Sequence, residues 1–180
     1  LPISNFIQVS DIQGGQLIGL RSLMSNLVLF MERGIFILNV PSASPSSWSL
    51  AESHPNATPL DNKAIAKTTD GIWYMGRDNV YLLDNSLNLI PKGEQILSTY
   101  KSYVTDVADK SRSRLFYDAQ NQRMFMRMPY FPYSTSTSLF IFEMKKQIWH
   151  EHVLDTQANL ATYFENMTRD NKGNNYYIGT

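Results

Sequence analysis

The chain contains no cysteine among its 180 residues and only three histidines, His54, His150 and His152. Without cysteine it has no disulfide scaffold, no thiolate zinc site, no cysteine nucleophile and no iron–sulfur cluster. Three histidines leave few ligands for a metal centre. Glycine-rich phosphate loops and nucleophile elbows are missing as well. The sequence therefore predicts no enzyme, and no catalytic, cofactor-binding or metal-binding residue.

An excess of charge and a long apolar run are also absent. Sixteen Lys and Arg residues balance sixteen Asp and Glu residues, whereas a surface that binds nucleic acid or an acidic leaflet throughout carries an excess of cations. The longest apolar cluster, residues 27–38, is broken by Glu32, Arg33 and Gly34. Because a bilayer-spanning helix needs about 20 apolar residues, we expect no membrane contact.

The two ends of the sequence suggest that it is a segment of a longer polypeptide. The chain begins with Leu1 and stops at Thr180, inside the apolar, strand-like run of residues 176–180. A domain rarely ends within its own hydrophobic pattern, because an unpaired strand exposes backbone donors and apolar side chains. We therefore expect residues 1–180 to form a single segment of a longer polypeptide.

What the sequence does contain is short runs of aromatic and branched residues, punctuated by Gly, Asn and Asp, as in β-hairpins. Five hairpins are predicted: residues 27–30 with 35–38, 72–75 with 80–83, 115–117 with 124–126, 139–142 with 147–149, and 161–164 with 175–178. Helical signals are weak. Apolar residues recur at helical spacing in residues 94–108, but Thr99 and Val107 are poor helix formers, so only one or two turns are expected there. The predicted class is all-β.

The spacing of the hairpins indicates the architecture. Gly34 and Asn79 lie 45 residues apart in successive turns, and Asn121 lies 42 residues beyond Asn79. A period in the forties is typical of a β-propeller, whose blades are four-stranded antiparallel sheets. The last two hairpins follow at about 25 residues each, as expected where both hairpins of one blade are visible. We predict a β-propeller or part of one, with a weak outer strand near residues 48–50; a β-sandwich is the alternative.

Carboxylates are the first candidates for chemistry. They lie in or beside predicted turns: Asp70, Asp78, Asp84, Asp106, Asp109, Asp118 and Glu143. Propeller glycosidases place paired acids near the central axis, but Asp in a turn usually accepts hydrogen bonds from its own backbone neighbours, and this role is favoured. Residues 68–73 share residue types with the Asp box of sialidase-like propellers without its spacing, and they predict a structural turn.

Histidine and basic residues form two further groups. His150 and His152 share one face of a predicted strand, where a surface pair is favoured over a metal site because no third ligand is near in sequence. The basic cluster Lys110, Arg112 and Arg114 could contact a nucleic-acid backbone. Three further cations lie nearby in sequence: Lys101, Arg123 and Arg127. Neighbouring acids nearly cancel this charge, so a solvated turn is favoured.

Two apolar features have simpler interpretations. Met124, Met126 and Met128 alternate along one strand, so they share one face and are expected to fill the core. The Tyr-Phe-Pro-Tyr segment at residues 130–133 and the Ser/Thr tract at residues 134–138 predict a protruding contact loop.

The stretch GIWYMGRDNVYLLD, residues 71–84, resembles the strand–turn–strand element of propeller-type virion proteins in tailed bacteriophages. In that family the element precedes a Pro-Gly-Glu-like stretch, to which residues 90–96 are similar. Residues 14–38 and the hairpins between Arg114 and Trp149 are similar to further elements of the family. The resemblance covers most of residues 14–150.

This family includes tail-hub, nozzle and head-to-tail connector proteins, which form rings around the DNA channel. The resemblance implies a non-enzymatic virion protein, assembled in the host cytoplasm, that associates with its own copies and with other virion proteins. It also implies sequence-independent contact with DNA passing through the channel. It carries over no catalytic, cofactor-binding or metal-binding residue.

Two other functions remain open at this point. A carbohydrate-binding or carbohydrate-hydrolysing propeller would use Trp73, Tyr74, Trp149 or Tyr133 as stacking platforms, with turn carboxylates as partners. Two carboxyl groups converging at one mouth would favour that function. A scaffold propeller for peptide partners is the third alternative.

Overall fold

The computed structural model of the chain describes residues 14–106, 113–128, 136–155, 164–169 and 175–179. Within them, three four-stranded antiparallel sheets follow one another along the chain, and a two-stranded sheet comes last. The predicted all-β class is confirmed. In the described part of the chain, no helix is long and apolar enough to cross a membrane.

Each sheet is a meander in which every strand pairs with the next one along the chain. Sheet 1 contains β1 (Leu17–Leu23), β2 (Asn26–Met31), β3 (Gly34–Asn39) and β4 (Ser49–Pro55). Sheet 2 contains β5 (Ile65–Lys67), β6 (Gly71–Met75), β7 (Val80–Asp84) and β8 (Leu89–Pro91). Sheet 3 contains β9 (Arg114–Asp118), β10 (Arg123–Arg127), β11 (Ser136–Glu143) and β12 (Ile148–Asp155). The last sheet pairs β13 (Phe164–Arg169) with β14 (Asn175–Gly179).

Four of the five predicted hairpins are confirmed, as β2–β3, β6–β7, β9–β10 and β11–β12. In the fifth, the first strand begins at Phe164, where the predicted strand ends; residues 161–163 lie outside the described residues. The expected grouping of the last two hairpins in one sheet is wrong. Hairpin β11–β12 joins β9–β10 instead, because β10 and β11 pair along their length and share a buried face, with Met124 opposite Phe142.

Two of the strands that were not predicted, β5 and β8, are short. β5 has three residues and ends in Lys67, and β8 ends in Pro91, so neither has an apolar run of its own. The weak outer strand expected near residues 48–50 is β4, which is mostly exposed. Residues 136–138 belong to β11, so the predicted loop is wrong for them; residues 129–135 lie outside the described residues.

Sheet 2 is packed on both faces. Ile72 and Tyr74 of β6 enter an apolar cluster with Phe30 of sheet 1, while Trp73 and Met75 enter another with sheet 3. This follows from the alternation of side chains along a strand, and every residue of β6 is buried. Full burial of a large apolar side chain contributes about 1.5–3 kcal/mol, so these two clusters hold the three sheets together.

One helix follows sheet 2. It consists of a 3-10 turn at Glu94–Ile96 and helix α1 at Leu97–Asp106, longer than the one or two turns expected. Weak helix formers are tolerated there because Tyr100 and Val104 are buried against the cluster between sheets 2 and 3. The Tyr100 hydroxyl also donates to the Gly76 carbonyl. The remaining predicted residues, 107–108, lie outside the described residues.

The first strands of the sheets lie side by side. Arg21 of β1 donates to the carbonyl of Ile65 at the start of β5, at 3.2 Å, and Lys67 of β5 donates to the Ser22 hydroxyl of β1 at 3.0 Å. β5 in turn lies against β9. We refer to the strip formed by β1, β5 and β9, together with the 3-10 turn at Asn62–Ala64 that leads into β5, as the common edge.

Candidate functional site

Two of the predicted turn carboxylates serve their own turns, as expected. Asp84 accepts hydrogen bonds from the backbone N–H groups of Asn88 and Ser86, each at 2.8 Å. These bonds hold the pKa of Asp84 below its usual range, and the bond from the Asn88 backbone has the largest effect. Asp118 is buried and accepts from the backbone N–H of Gln120 at 3.1 Å and from Asn121 Nδ2 at 2.6 Å.

The turn at residues 68–73 is also structural. Thr68 N donates to the Gly71 carbonyl at 2.8 Å, and Asp70 N donates to Thr68 Oγ1 at 3.2 Å. Gly71 has φ +145°, and a Cβ there would overlap the carbonyl oxygen of Leu83. This position therefore requires glycine.

Asp78 is hydrogen-bonded to β7, the strand that follows its turn. It accepts a hydrogen bond from the Tyr81 hydroxyl at 2.8 Å. Burial, followed by this bond, raises the pKa of Tyr81 to about 12. Two further predicted carboxylates give less information: Asp106 is the last residue of α1, and Asp109 lies outside the described residues.

Glu143 lies among basic side chains on the face of sheet 3 that points away from sheet 2. Its carboxylate lies 2.8 Å from Lys146 Nζ, 3.3 Å from Arg123 Nη2 and 3.8 Å from His150 Nε2. The hydrogen bond from Lys146 is the main reason why the pKa of Glu143 is lowered. His150 and His152 are both exposed there, as the predicted surface pair requires. Among the described residues, no three His, Asp or Glu side chains are placed to hold a metal ion.

Three of the four aromatic residues predicted as stacking platforms are buried. Trp73, Tyr74 and Trp149 have exposed fractions of 2%, 0% and 9%. Trp149 packs on Phe142 with ring centroids 5.0 Å apart, and its Nε1 donates to the Lys92 carbonyl at 2.7 Å. The prediction is wrong for these three because Trp73 and Tyr74 lie on the two covered faces of sheet 2, and Trp149 of sheet 3 is buried in the cluster between sheets 2 and 3. Tyr133 lies outside the described residues.

The basic cluster is only partly described. Lys110 and Arg112 lie outside the described residues, and Arg114 is half-buried in β9. Its cross-strand partner Arg127 is 7% exposed, so the solvated role expected for this region is wrong for Arg127. β10 is an inner strand of sheet 3, which explains this burial. Lys101 is exposed on α1.

The methionine prediction is confirmed. Met124, Met126 and Met128 are fully buried and belong to the cluster between sheets 2 and 3.

The common edge carries cations that the sequence did not single out. The Arg21 guanidinium donates to the Asn62 and Ile65 carbonyls, at 3.0 and 3.2 Å, and its burial lowers its pKa. Lys63 and Lys67 are exposed beside it. No carboxylate of the described residues lies within 4.0 Å of these three cations. Within the described residues these three cations are therefore not held in ion pairs, and Asp61, two positions before Lys63, accepts a hydrogen bond from the backbone N–H of Lys63.

A polar concavity of about 360 Å³ adjoins this edge. It lies between the start of β1, the β2–β3 turn, the connection from β4 to β5 and the β6–β7 turn. Its charged lining residues are Glu32, Asp61 and Arg77. Two of these residues, Glu32 and Asp61, carry carboxyl groups, the residue type that the carbohydrate alternative uses.

The sequence matches no protein-family model, and comparison with curated proteins finds no significantly similar sequence. The function is therefore inferred from the fold and from these surfaces.

Proposed function

We propose that the chain is a non-enzymatic structural protein of a tailed-phage virion, forming part of the tail or of the head-to-tail connector ring around the DNA channel. The observation that carries the proposal is the serial packing of three meander sheets with their first strands along one common edge.

This packing favours a β-propeller over a β-sandwich. In a two-sheet sandwich each sheet buries one face, whereas the middle sheet of this chain buries both, through Trp73 on one side and Tyr74 on the other. A blade of a propeller is enclosed in the same way by its two neighbours, and blades are four-stranded meanders around a central channel. The common edge then corresponds to the channel side of the blades.

Exposed apolar side chains support association with other subunits. The large exposed apolar residues among those described are Leu17 (55%), Leu20 (43%) and Met24 (75%), and all three lie on β1 or directly after it. Apolar residues concentrated in one strip typically mark an interaction surface. We therefore propose that β1 contributes to a contact between copies of the chain or with another virion protein.

The cations of the common edge support sequence-independent contact with DNA. Arg21, Lys63 and Lys67 would face the channel, and phosphate contacts by Lys and Arg attract any DNA sequence equally. A few cations suit DNA in transit, because a strongly basic lumen would retain the phosphates. The carbohydrate alternative has less support, since three of its four predicted stacking platforms are buried.

The test is the assembly state of the complete polypeptide, purified under native conditions and measured by light scattering and negative-stain electron microscopy. We expect ring-shaped oligomers, and we expect the double variant Leu17→Ser, Leu20→Ser to shift the distribution toward smaller species. Lys145→Ser, an exposed change in the β11–β12 turn, is the matched control and should leave the rings intact. A monodisperse monomer that binds no virion component would contradict the proposal.

A further inference from the structure

The concavity between sheets 1 and 2 contains opposite charges that face one gap without pairing. We propose that it binds a short peptide segment of a partner protein, one that presents a basic and an acidic side chain. This proposal does not depend on the virion assignment, because it rests on the lining of the concavity alone.

The walls of the concavity are fixed by hydrogen bonds. Thr58 Oγ1 donates to the Glu32 carbonyl at 2.8 Å, and Leu60 N donates to the Met75 carbonyl at 2.8 Å. Gln16 and Glu32 are joined twice, since Glu32 N donates to the Gln16 carbonyl and Gln16 N donates to Glu32 Oε2. A site whose walls are already ordered loses little conformational entropy when a ligand binds.

The charged groups retain free hydrogen-bonding capacity. Glu32 uses Oε2 to accept from Gln16 N, and Asp61 uses Oδ1 to accept from Lys63 N at 2.9 Å, which leaves Glu32 Oε1 and Asp61 Oδ2 unused by any described residue. The exposed Arg77 guanidinium has no partner among the described residues. No guanidinium nitrogen of Arg77 lies within 4.0 Å of either carboxylate. A ligand can therefore place a cation at the carboxylates and an anion at Arg77.

The residues that line the concavity favour some classes of ligand over others. None of the residues that line the concavity is aromatic, so it lacks the stacking surface that saccharides and nucleobases use. Two carboxylates against one guanidinium disfavour a polyanion such as nucleic acid. A peptide segment with one basic and one acidic side chain can pair with Glu32, Asp61 and Arg77. Bidentate pairing of Arg77 with the carboxylate of the peptide adds specificity. The volume of about 360 Å³ lies at the lower end of the range for ligand sites and suits a few residues.

The test uses the complete chain and the acetylated, amidated tripeptide Lys-Ala-Glu, whose termini carry no charge. In a ¹H–¹⁵N NMR titration we expect saturable shifts confined to the amides around Glu32, Asp61 and Arg77. Arg77→Gln should weaken binding at least about fivefold, as the loss of a charge-assisted hydrogen bond implies. In that variant the peptides Lys-Ala-Glu and Lys-Ala-Gln should bind equally, because the acidic side chain has lost its partner.

The matched control is Arg33→Gln. Arg33 is an exposed arginine in the same β2–β3 turn as Glu32 but does not line the concavity, so binding should remain unchanged. The proposal is overturned if the peptide gives no saturable shift, or if Arg77→Gln and Arg33→Gln weaken binding equally. It is also overturned if maltotriose or a short DNA duplex binds at these amides more tightly than the peptide.

Discussion

Trp73 and Tyr74 are adjacent in β6 and pack in opposite directions. The ring of Trp73 lies 5.1 Å from that of Phe142 in sheet 3, and the ring of Tyr74 lies 5.4 Å from that of Phe30 in sheet 1. One strand thus links three sheets, and an aromatic residue anchors each contact.

This pair gives the first prediction, a contrast between two neighbouring changes. Trp73→Ala should lower the free energy of unfolding by about 3–5 kcal/mol, because it leaves a cavity between sheets 2 and 3. Tyr74→Phe should be neutral or stabilising by up to about 1 kcal/mol, because the buried Tyr74 hydroxyl has no hydrogen-bond partner among the described residues. Urea denaturation of both variants measures the difference. Equal destabilisation by the two changes would show that the hydroxyl is satisfied.

The second prediction concerns the turn before β6. Gly71→Ala should destabilise the protein by about 2–4 kcal/mol, since the new Cβ would overlap the Leu83 carbonyl oxygen at a positive φ. The control is Asp70→Ala, at an exposed position in the same turn, which should change stability by less than about 0.5 kcal/mol. Thermal unfolding of the two variants compares them. A large loss with Asp70→Ala would mean that its carboxylate has a role beyond this turn.

The third prediction is a pH dependence at Asp84. Folding lowers the pKa of this carboxyl below its ordinary value of 3.8, so the unfolded chain takes up the proton first as the pH falls. The stabilising contribution is therefore complete above pH 3.8 and is lost as the pH falls below it, through the folded-state pKa. Asp84→Asn should make the acid decline in stability shallower.

Urea midpoints measured from neutral to acidic pH give the comparison for Asp84. Asp70→Asn is the matched control, because the only hydrogen bond that its carboxylate accepts within the described residues comes from the neighbouring Thr69 hydroxyl. An identical acid decline in the wild type and in Asp84→Asn would contradict the proposed role of the turn bonds.

The fourth prediction addresses DNA contact at the common edge. The double variant Lys63→Gln, Lys67→Gln should weaken binding to a short duplex of any sequence. It should also reduce the slope of log affinity against log salt by about 0.9 per lost phosphate contact. Fluorescence anisotropy at several salt concentrations measures both quantities. Lys101→Gln, Lys145→Gln removes the same charge from exposed positions outside the common edge and should leave the slope unchanged. Equal slopes for both double variants would exclude this surface.

The central strands could be predicted from the sequence because the apolar pattern that marks each one lies within the strand itself. β2, β3, β6 and β7 are runs of apolar residues between polar turns. Sheet 2 is covered by a sheet on each face, whereas the second face of β2 and β3 forms a cluster with Trp48 and Leu50. β5 and β8 could not be found this way. They are edge strands whose position depends on pairing with β6 and β7, as in the Ile65–Tyr74 and Leu83–Leu89 pairs.

The candidate surfaces were harder to predict than the strands. Arg21 contacts residues 41 and 44 positions away, and Lys67 contacts a residue 45 positions away. No local pattern shows such contacts, because they exist only once sheet 1 packs on sheet 2. The burial of the aromatic residues of β6 could not be predicted for the same reason: Tyr74 is covered by sheet 1, and Trp73 by sheet 3, whose strands come later in the chain.

The most direct test of the central claim is an electron cryomicroscopy reconstruction of the complete polypeptide in its native assembly. The proposed function predicts radially arranged four-stranded sheets in a closed ring, with β1, β5 and β9 lining a central channel. A reconstruction in which sheets 1, 2 and 3 form no ring, or in which the common edge faces away from any channel, would contradict it.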